Sequence, residues 1–202
     1  MIFTAHRINS IKELKKIPSK YGIEIDLRDK LDRIIISHNP FDKGQNLEKF
    51  LDFFNHKFII LNIKSEGIEE KVIKILKQKK INNFFFLDTS FPFIIKYSKY
   101  LTNKFAIRVS DYESYKTVLK LKKKFKWIWL DCFEKFDISI NVLKKIKKKG
   151  YKICLVSPNL HNRKISKNDL IFFKNLKKNG IKVDMVCDKI RNISIISKSI
   201  LT

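Results

Sequence analysis

Short apolar segments rich in β-branched and aromatic residues recur along the whole chain, separated by polar segments that are rich in lysine. Most are continuously apolar, which is typical of strands covered on both faces of a sheet. Eight strands are predicted: Ile2–Ala5, Gly22–Leu27, Phe58–Ile63, Asn83–Leu87, Phe105–Val109, Trp127–Leu130, Tyr151–Val156 and Ile181–Cys187. A further run, Arg33–Ser37, follows the second strand closely. The Asp29–Asp32 stretch between them predicts a turn, and therefore a short hairpin extension.

Helical periodicity appears in the segments between the strands, where apolar residues recur three and four positions apart. The predicted helices are Ser10–Lys20, Leu47–Phe54, Ile68–Lys79, Tyr112–Lys124, Ile138–Lys149 and Ser166–Lys178. Strands that alternate with helices favour parallel pairing through right-handed crossovers. Eight such units predict an α/β fold, a compact TIM-like (β/α)8 barrel that forms a single domain over residues 1–202. A doubly wound open sheet with fewer strands is the alternative.

Composition adds a strong positive charge to this picture. The formal net charge is +24, yet only six of the 44 basic residues are arginine. The lysines fall in periodic runs such as Lys144–Lys149, which predict solvated helix faces. Because no nucleic-acid motif is visible, we expect no nucleic-acid partner. The charge does favour anionic substrates and surface association with anionic lipid. Nucleic-acid binding stays open as an alternative, and it predicts strong, salt-dependent affinity.

Cysteine usage and hydropathy point to the cytoplasm. Cys132, Cys154 and Cys187 are far apart and form no C-x-x-C pair, which favours a reducing compartment. Cys154 and Cys187 lie in apolar runs, so we expect these two to be buried. The amino terminus lacks the pattern of a signal peptide. No apolar run approaches the roughly 20 residues of a membrane span. The sequence does not specify an oligomeric state.

Polar residues stand where the apolar runs end. The first run ends at His6-Arg7, the hairpin ends at His38-Asn39, and the third strand ends at Asn62 and Lys64. Later runs end at Asp88, Arg108, Asp131, Ser157 and Asp188. In a (β/α)8 barrel the carboxyl ends of all strands face one mouth, where active sites lie. The pattern therefore predicts a polar site built from several strand ends.

Two carboxylates, Glu24 and Asp26, lie in the second run, and the period of a strand places them on the same face. Adjacent carboxylates repel each other unless they share a cation or a proton. A divalent metal with oxygen ligands is one solution. In the alternative, both side chains point into solvent and Ile23, Ile25 and Leu27 face the core.

Two of the four histidines, His6 and His38, end strand-like runs, and such a pair beside two carboxylates suits proton transfer near neutral pH. We expect the other two, His56 and His161, to be surface residues because they lie in polar stretches.

These residues resemble the glycerophosphodiester phosphodiesterase family, within the phosphatidylinositol phospholipase C-like phosphodiesterase superfamily. The matching motifs are His6-Arg7, Glu24-Ile25-Asp26, His38-Asn39 and Asn62-Ile63-Lys64, in the family's order and spacing. The resemblance is specific over about residues 4–66. Beyond them, only Val183–Lys189 is similar to the family's last strand.

The resemblance implies a phosphoric diester hydrolase that acts on a glycerophosphodiester or a related small phosphodiester. His6 and His38 would be the catalytic base and acid. Arg7 and Lys64 would bind the phosphate, and Arg108 and Asp131 would contact the substrate. A divalent cation, Mg²⁺ or Ca²⁺, would be held by the metal ligands Glu24, Asp26 and Asn62.

Two departures from the family pattern leave other functions open. Asn62 replaces an acidic metal ligand, which lowers the expected metal affinity unless Glu66 compensates. The inserted subdomain that usually follows the second histidine is also missing, which predicts a more open mouth. A weakened or inactive barrel that binds a phosphorylated ligand is one alternative. A structural polar cluster without activity is another.

Overall fold

The computed structural model describes residues 1–121 and 124–193, and within them ten strands form one sheet. The strands are β1 (Ile2–Ala5), β2 (Gly22–Lys30), β3 (Arg33–Ile36), β4 (Gln45–Asn46), β5 (Phe58–Ile63), β6 (Phe84–Leu87), β7 (Ala106–Val109), β8 (Trp127–Leu130), β9 (Lys152–Val156) and β10 (Met185–Asp188). The last nine residues of the predicted single domain, 194–202, lie outside the described residues.

Eight of these strands are parallel and close into a barrel. β1 pairs with both β10 and β2, and the pairing continues from β2 through β5 to β6. On the other side, β10 pairs with β9, β9 with β8, and β8 with β7. A single bridge between Phe86 and Phe105 joins β6 to β7. The predicted (β/α)8 barrel is therefore confirmed, with one loosely paired seam in its wall.

The predicted hairpin extension is also present. The outer half of β2 leaves the barrel and pairs antiparallel with β3, which pairs with β4. The prediction ended the second strand at Leu27 and placed a turn over Asp29–Asp32. In the structure β2 continues to Lys30, so the turn is shorter, because Asp29 and Lys30 pair with Ile34 and Arg33 across the hairpin.

Seven α-helices connect the strands within the described residues. They are α1 (Ile11–Leu14), α2 (Leu47–Leu51), α3 (Glu69–Gln78), α4 (Phe91–Leu101), α5 (Lys116–Lys120), α6 (Ile140–Lys148) and α7 (Lys167–Lys178). Short 3-10 turns cover Thr102–Lys104, Pro158–His161 and Ile190–Asn192.

Three helix predictions were wrong in extent and one helix was missed. The segment Leu47–Phe54 ends at Leu51 as α2. The segment Ser10–Lys20 forms only the single turn α1, which Ser10 caps. The segment Tyr112–Lys124 shortens to α5, although 122 and 123 lie outside the described residues. The missed helix, α4, opens with Phe-Pro-Phe. Proline is tolerated in a first helical turn because the amide there needs no intrahelical partner.

The strands bury one apolar face toward the helices and the other inside the barrel. On β2, Ile23 and Ile25 belong to the large core that includes helix residues such as Phe50 and Val72. A second, smaller cluster fills the barrel: Phe58, Ile60, Phe85, Leu87, Ala106, Trp127, Trp129, Cys154, Val156, Met185 and Cys187. Alternation along each strand therefore separates two cores, as in other barrels of this type.

Aromatic rings fill the amino-terminal end of the barrel. The Phe85 and Trp127 ring centroids are 5.0 Å apart, and Phe58 lies 5.5 Å from Phe85. Glycine is required at Gly22, because a Cβ atom there would come within 2.8 Å of Thr4 Oγ1. This packing fills the barrel interior at its amino-terminal end, whereas polar side chains gather at the carboxyl ends of the strands.

Two remaining expectations concern cysteines and membranes. Cys154 and Cys187 are buried, as predicted; Cys132 is buried as well, and all three are free thiols. No helix in the described part of the chain is both long enough and apolar enough to span a bilayer.

Candidate active site

The carboxylate pair on β2 points into the barrel at the mouth, the end where the carboxyl termini of the parallel strands meet. Glu24 is fully buried and Asp26 is 1% exposed. Their neighbours on β5 are Ile60 and Asn62, which are level with Glu24 and Asp26 in the sheet. The alternative in which both carboxylates face solvent is therefore wrong, because the intervening isoleucines take the outer face.

Asp26 is surrounded by donors and cations. The Asn9 side chain binds it twice, donating from Nδ2 to Oδ2 at 2.9 Å and accepting from the Asp26 amide at 3.0 Å. Asn62 Nδ2 donates to Oδ1 at 3.2 Å. Arg7 Nε lies 3.6 Å from Oδ2, and Lys64 Nζ lies 3.7 Å from Oδ1. These partners fix the carboxylate at the mouth and offset its charge.

Glu24 has fewer partners than Asp26. The Arg7 amide donates to its Oε2 at 2.7 Å, and His6 Nε2 lies 3.6 Å from the same oxygen. Oε1 has no hydrogen-bond partner among the described residues. Burial, and then the charge of Asp26, raise the pKa of Glu24 from 4.5 to about 8, although the Arg7 amide lowers it. Near neutral pH this carboxyl therefore holds a proton unless a cation replaces it.

His6 directly follows β1 and is held in position by β10. Its amide donates to the Asp188 carbonyl at 2.9 Å, and the next residue, Arg7, has a left-handed φ of 56° that turns the chain over the mouth. Burial, and then the positive charge of Arg7, lower the pKa of His6 from 6.5 to about 4, against the opposing charge of Asp26. The imidazole is therefore neutral near pH 7 and able to accept a proton.

The family resemblance implies a divalent cation, and the donor atoms here fit one in part. Glu24 Oε1 and Asn62 Oδ1 are both buried oxygens without a partner in the described structure. Hard cations prefer such carboxylate and amide oxygens. Among the described residues, however, no group of three or more His, Cys, Asp or Glu side chains is placed to hold a metal ion. These oxygens could therefore ligate a cation, but with one carboxylate fewer than the family pattern provides.

A chain of alternating charges continues from the carboxylate pair around the mouth. Lys64 Nζ lies 3.7 Å from Asp88 Oδ2. Asp88 in turn accepts from Arg108 NH2 at 2.6 and 2.8 Å. Arg108 also contacts Asp131 and lies 3.6 Å from Glu113. Four of the strand-end residues that the sequence predicted to converge at the mouth, Lys64, Asp88, Arg108 and Asp131, are thus joined by direct contacts.

The row of charged contacts ends at His161, which was predicted to be a surface residue. His161 Nε2 lies 2.6 Å from Asp131 Oδ1, and its ring is 4.3 Å from that of Phe133. Burial opposes ionisation of Asp131, but the hydrogen bond from His161 and the charge of Arg108 lower its pKa. His161 is therefore a residue of the mouth. Its signal in sequence was weak, because it lies in a 3-10 turn after β9 that no periodicity reveals.

His56 was also predicted on the surface, and that prediction was wrong. It is 9% exposed, and its Nε2 lies 2.8 Å from the Ile17 carbonyl. It therefore links the loop before β5 to the segment that follows α1.

His38 reaches the mouth through its backbone. Arg28 donates to the His38 carbonyl from Nε at 3.2 Å and from NH2 at 3.0 Å, and donates from NH1 to the Lys64 carbonyl at 3.0 Å. One guanidinium therefore ties the end of the hairpin to the end of β5. The His38 ring contacts Asn39, with Nδ1 lying 3.0 Å from Oδ1.

Comparison with known proteins supports the fold. No family model matches the sequence, and no curated protein is detectably similar to it. Among solved structures, a glycerophosphodiester phosphodiesterase from Agrobacterium tumefaciens is similar, with a TM-score of 0.64 and 10% identity over 94% of this chain and 97% of that one. A glycerophosphoryl diester phosphodiesterase from Parabacteroides distasonis gives 0.61 and 14%, covering 98% and 86%. The chain thus has the barrel fold of the family that its motifs resemble.

The raised pKa of Glu24 predicts how stability depends on pH. Between pH 4.5 and about 8 the native protein keeps a proton that the unfolded chain has lost, so stability falls as the pH rises. His6 acts in the opposite sense, but only between about 4 and 6.5. From pH 6.5 to 8 the wild type should therefore lose up to ~1.4 kcal/mol per pH unit relative to Glu24→Gln. Urea denaturation of both proteins in chelator tests this. Parallel pH profiles over that range would show that Glu24 is not protonated.

Proposed function

We propose that the protein is a phosphoric diester hydrolase that acts on a glycerophosphodiester or a related phosphodiester. The observation that carries the proposal is the buried Glu24–Asp26 pair at the barrel mouth, with neutral His6 on one side and the cations Arg7 and Lys64 on the other. A barrel of the same fold in two solved glycerophosphodiester phosphodiesterases supports the same chemistry.

The proposed reaction begins with a substrate hydroxyl next to the phosphate. His6 takes the proton of this hydroxyl while its oxygen forms a bond to phosphorus. The P–O bond to the second alcohol breaks, its electron pair stays on the leaving oxygen, and His38 donates a proton there. The product is a cyclic phosphate. Water then opens the ring, with the two histidines exchanging roles.

Cationic side chains stabilise the phosphate. Arg7 and Lys64 lie next to the carboxylate pair and are 48% and 23% exposed, so both can reach a bound anion. Charge grows on the phosphate oxygens in the transition state, where fixed cations are most effective. Arg108 is engaged by Asp88, Asp131 and Glu113. We therefore assign Arg108 and Asp131 to contacts with the alcohol side of the substrate.

Glu24 and Asn62 would hold a divalent cation, Mg²⁺ or Ca²⁺, with Asp26 beside them. Their unpartnered oxygens support this assignment. Bound there, the ion would supply a Lewis acid and take the place of the proton on Glu24.

A second candidate function is binding of a phosphorylated ligand without turnover. It is favoured by Asn62, whose amide donates to Asp26 at 3.2 Å and brings no charge of its own to a cation. Such a protein would keep the cationic mouth but lack efficient hydrolysis.

With an alkyl leaving group, replacing either catalytic histidine should slow release of the leaving alcohol about a hundredfold or more. His38→Ala should lose activity against an alkyl leaving group but keep it against p-nitrophenolate, which leaves without a proton donor. His6→Ala should lose both activities, because nucleophile activation precedes either. Steady-state kinetics with glycerophosphoethanolamine and with a glyceryl p-nitrophenyl phosphodiester measure these losses, and circular dichroism confirms folding.

His161→Ala is the matched comparison, because it removes the other histidine of the mouth. If His161→Ala, and not His38→Ala, loses activity only against the alkyl leaving group, the catalytic acid is His161 and its assignment to His38 is wrong. If wild-type activity persists in both His6→Ala and His38→Ala, the mechanism is wrong.

Asn62→Asp should strengthen binding of Mg²⁺ or Ca²⁺ by about tenfold, because it restores a carboxylate at almost constant volume. Without metal the variant should be less stable than the wild type, since a third carboxylate joins two buried ones. Isothermal titration calorimetry measures the affinity. Asn55→Asp, at an exposed position, controls for the added charge. Equal or weaker binding in Asn62→Asp would place the cation elsewhere.

A further inference from the structure

The seam between β6 and β7 contains a cavity next to the charged mouth. These two strands are joined by one bridge, Phe86–Phe105, whereas every other neighbouring pair in the barrel shares a ladder. Beyond the bridge, the residues that follow β6 and the residues of β7 enclose a space of about 410 Å³. This volume lies in the range of small-molecule sites.

The cavity begins at the proposed phosphate site. Asp88 lines it, and the same carboxylate lies 3.7 Å from Lys64 Nζ, which in turn contacts Asp26. Arg108 lines it as well and is held by Asp88 on one side and Asp131 on the other. A group esterified to a phosphate at Lys64 would therefore lie next to the cavity, with the paired Asp88 and Arg108 at its entrance.

The lining combines hydrogen-bonding groups with one apolar wall. Hydroxyls come from Thr89, Ser114 and Thr117, and carboxylates from Asp88 and Glu113. Phe91 and Ile107 supply the apolar surface. Carboxylates accept from several donors at once, and hydroxyls both donate and accept. A ligand that suits this wall carries several hydroxyl groups on a short carbon skeleton.

One buried hydroxyl in the lining has no partner. Thr89 is 9% exposed, and its Oγ1 makes no hydrogen bond within the described structure. A buried polar group without a partner carries a desolvation penalty, and a ligand in the adjoining cavity would relieve it once the Thr89 hydroxyl turns toward that ligand. The hydroxyls and carboxylates of the lining disfavour an acyl chain. A cationic alcohol is not repelled, because Arg108 is paired with Asp88 and Glu113. A polyol is favoured over a cationic alcohol because it offers several hydroxyl groups to the three hydroxyls and two carboxylates of the lining.

We propose that the cavity lined by Asp88, Thr89 and Thr117 binds a polyhydroxylated alcohol, the second alcohol of the phosphodiester. This assignment rests on the proposed hydrolase function and names its substrate class. It predicts a preference for diesters in which both alcohols are polyols.

Thr89→Val and Thr117→Val test the subsite, because each removes a hydroxyl at nearly constant shape. Kinetics are measured with glycerophosphoglycerol, whose second alcohol is a polyol, and with glycerophosphoethanolamine, whose second alcohol is not. In Thr89→Val the KM for glycerophosphoglycerol should rise about fivefold, with kcat and the KM for glycerophosphoethanolamine unchanged. A hydroxyl with no role in substrate binding would leave both KM values unchanged.

Thr4→Val is the matched control, since Thr4 is fully buried and its Oγ1 also lacks a partner, but it lies outside the cavity. This variant should keep the wild-type ratio of kcat/KM for the two substrates. An unchanged ratio in both Thr89→Val and Thr117→Val, or a parallel rise in both KM values, would overturn the subsite. Wild-type activity without preference for glycerophosphoglycerol would overturn the subsite alone. A wild type inactive on both substrates would overturn the hydrolase proposal, and the subsite with it.

Discussion

Two carboxyl groups buried on one face of β2 impose the main constraint on this molecule. Glu24 and Asp26 are separated by one residue, and both lie inside the barrel where water does not screen them. Removing two such charges from water is costly unless each finds an opposite charge or a proton. Asp26 is offset by Arg7 and Lys64 and held by Asn9, whereas Glu24 is left to a proton or a cation. The proposed divalent cation would take the place of the proton on Glu24.

The rest of the mouth follows from this constraint. Lys64, one of the two cations that offset Asp26, also contacts Asp88. Asp88 is paired with Arg108, Arg108 with Asp131, and Asp131 with His161. Each charge is partly satisfied by the next, so strand ends from both sides of the barrel are tied together despite the weak seam between β6 and β7. The sign of the charge at the mouth also differs from that of the chain as a whole. The chain carries a net charge of +24, yet the seam side of the mouth is rich in carboxylates.

Much of this organisation was predictable from the sequence because it depends on short-range periodicity. Period-two alternation predicted that Glu24 and Asp26 share a face, and parallel strands predicted that residues such as His6, Asn62 and Asp88 meet at one end. The sequence could not reveal contacts made by loops. Asn9 and His161 lie outside any periodic segment, and their partners are 17 and 30 residues away. Helix α4 escaped prediction because Pro92 and its aromatic residues mask the helical period.

The protonation of Glu24 is the most direct measure of whether the carboxylate pair is arranged in this way. Carbon-13 NMR of the side-chain carboxyls, recorded against pH in chelator and assigned by comparison with Glu24→Gln, reports it at a single atom. A Glu24 resonance that titrates near pH 8 is the expected result. A resonance that titrates at the ordinary value near 4.5 would show that this carboxyl is solvated, and the proposed site would lose its basis.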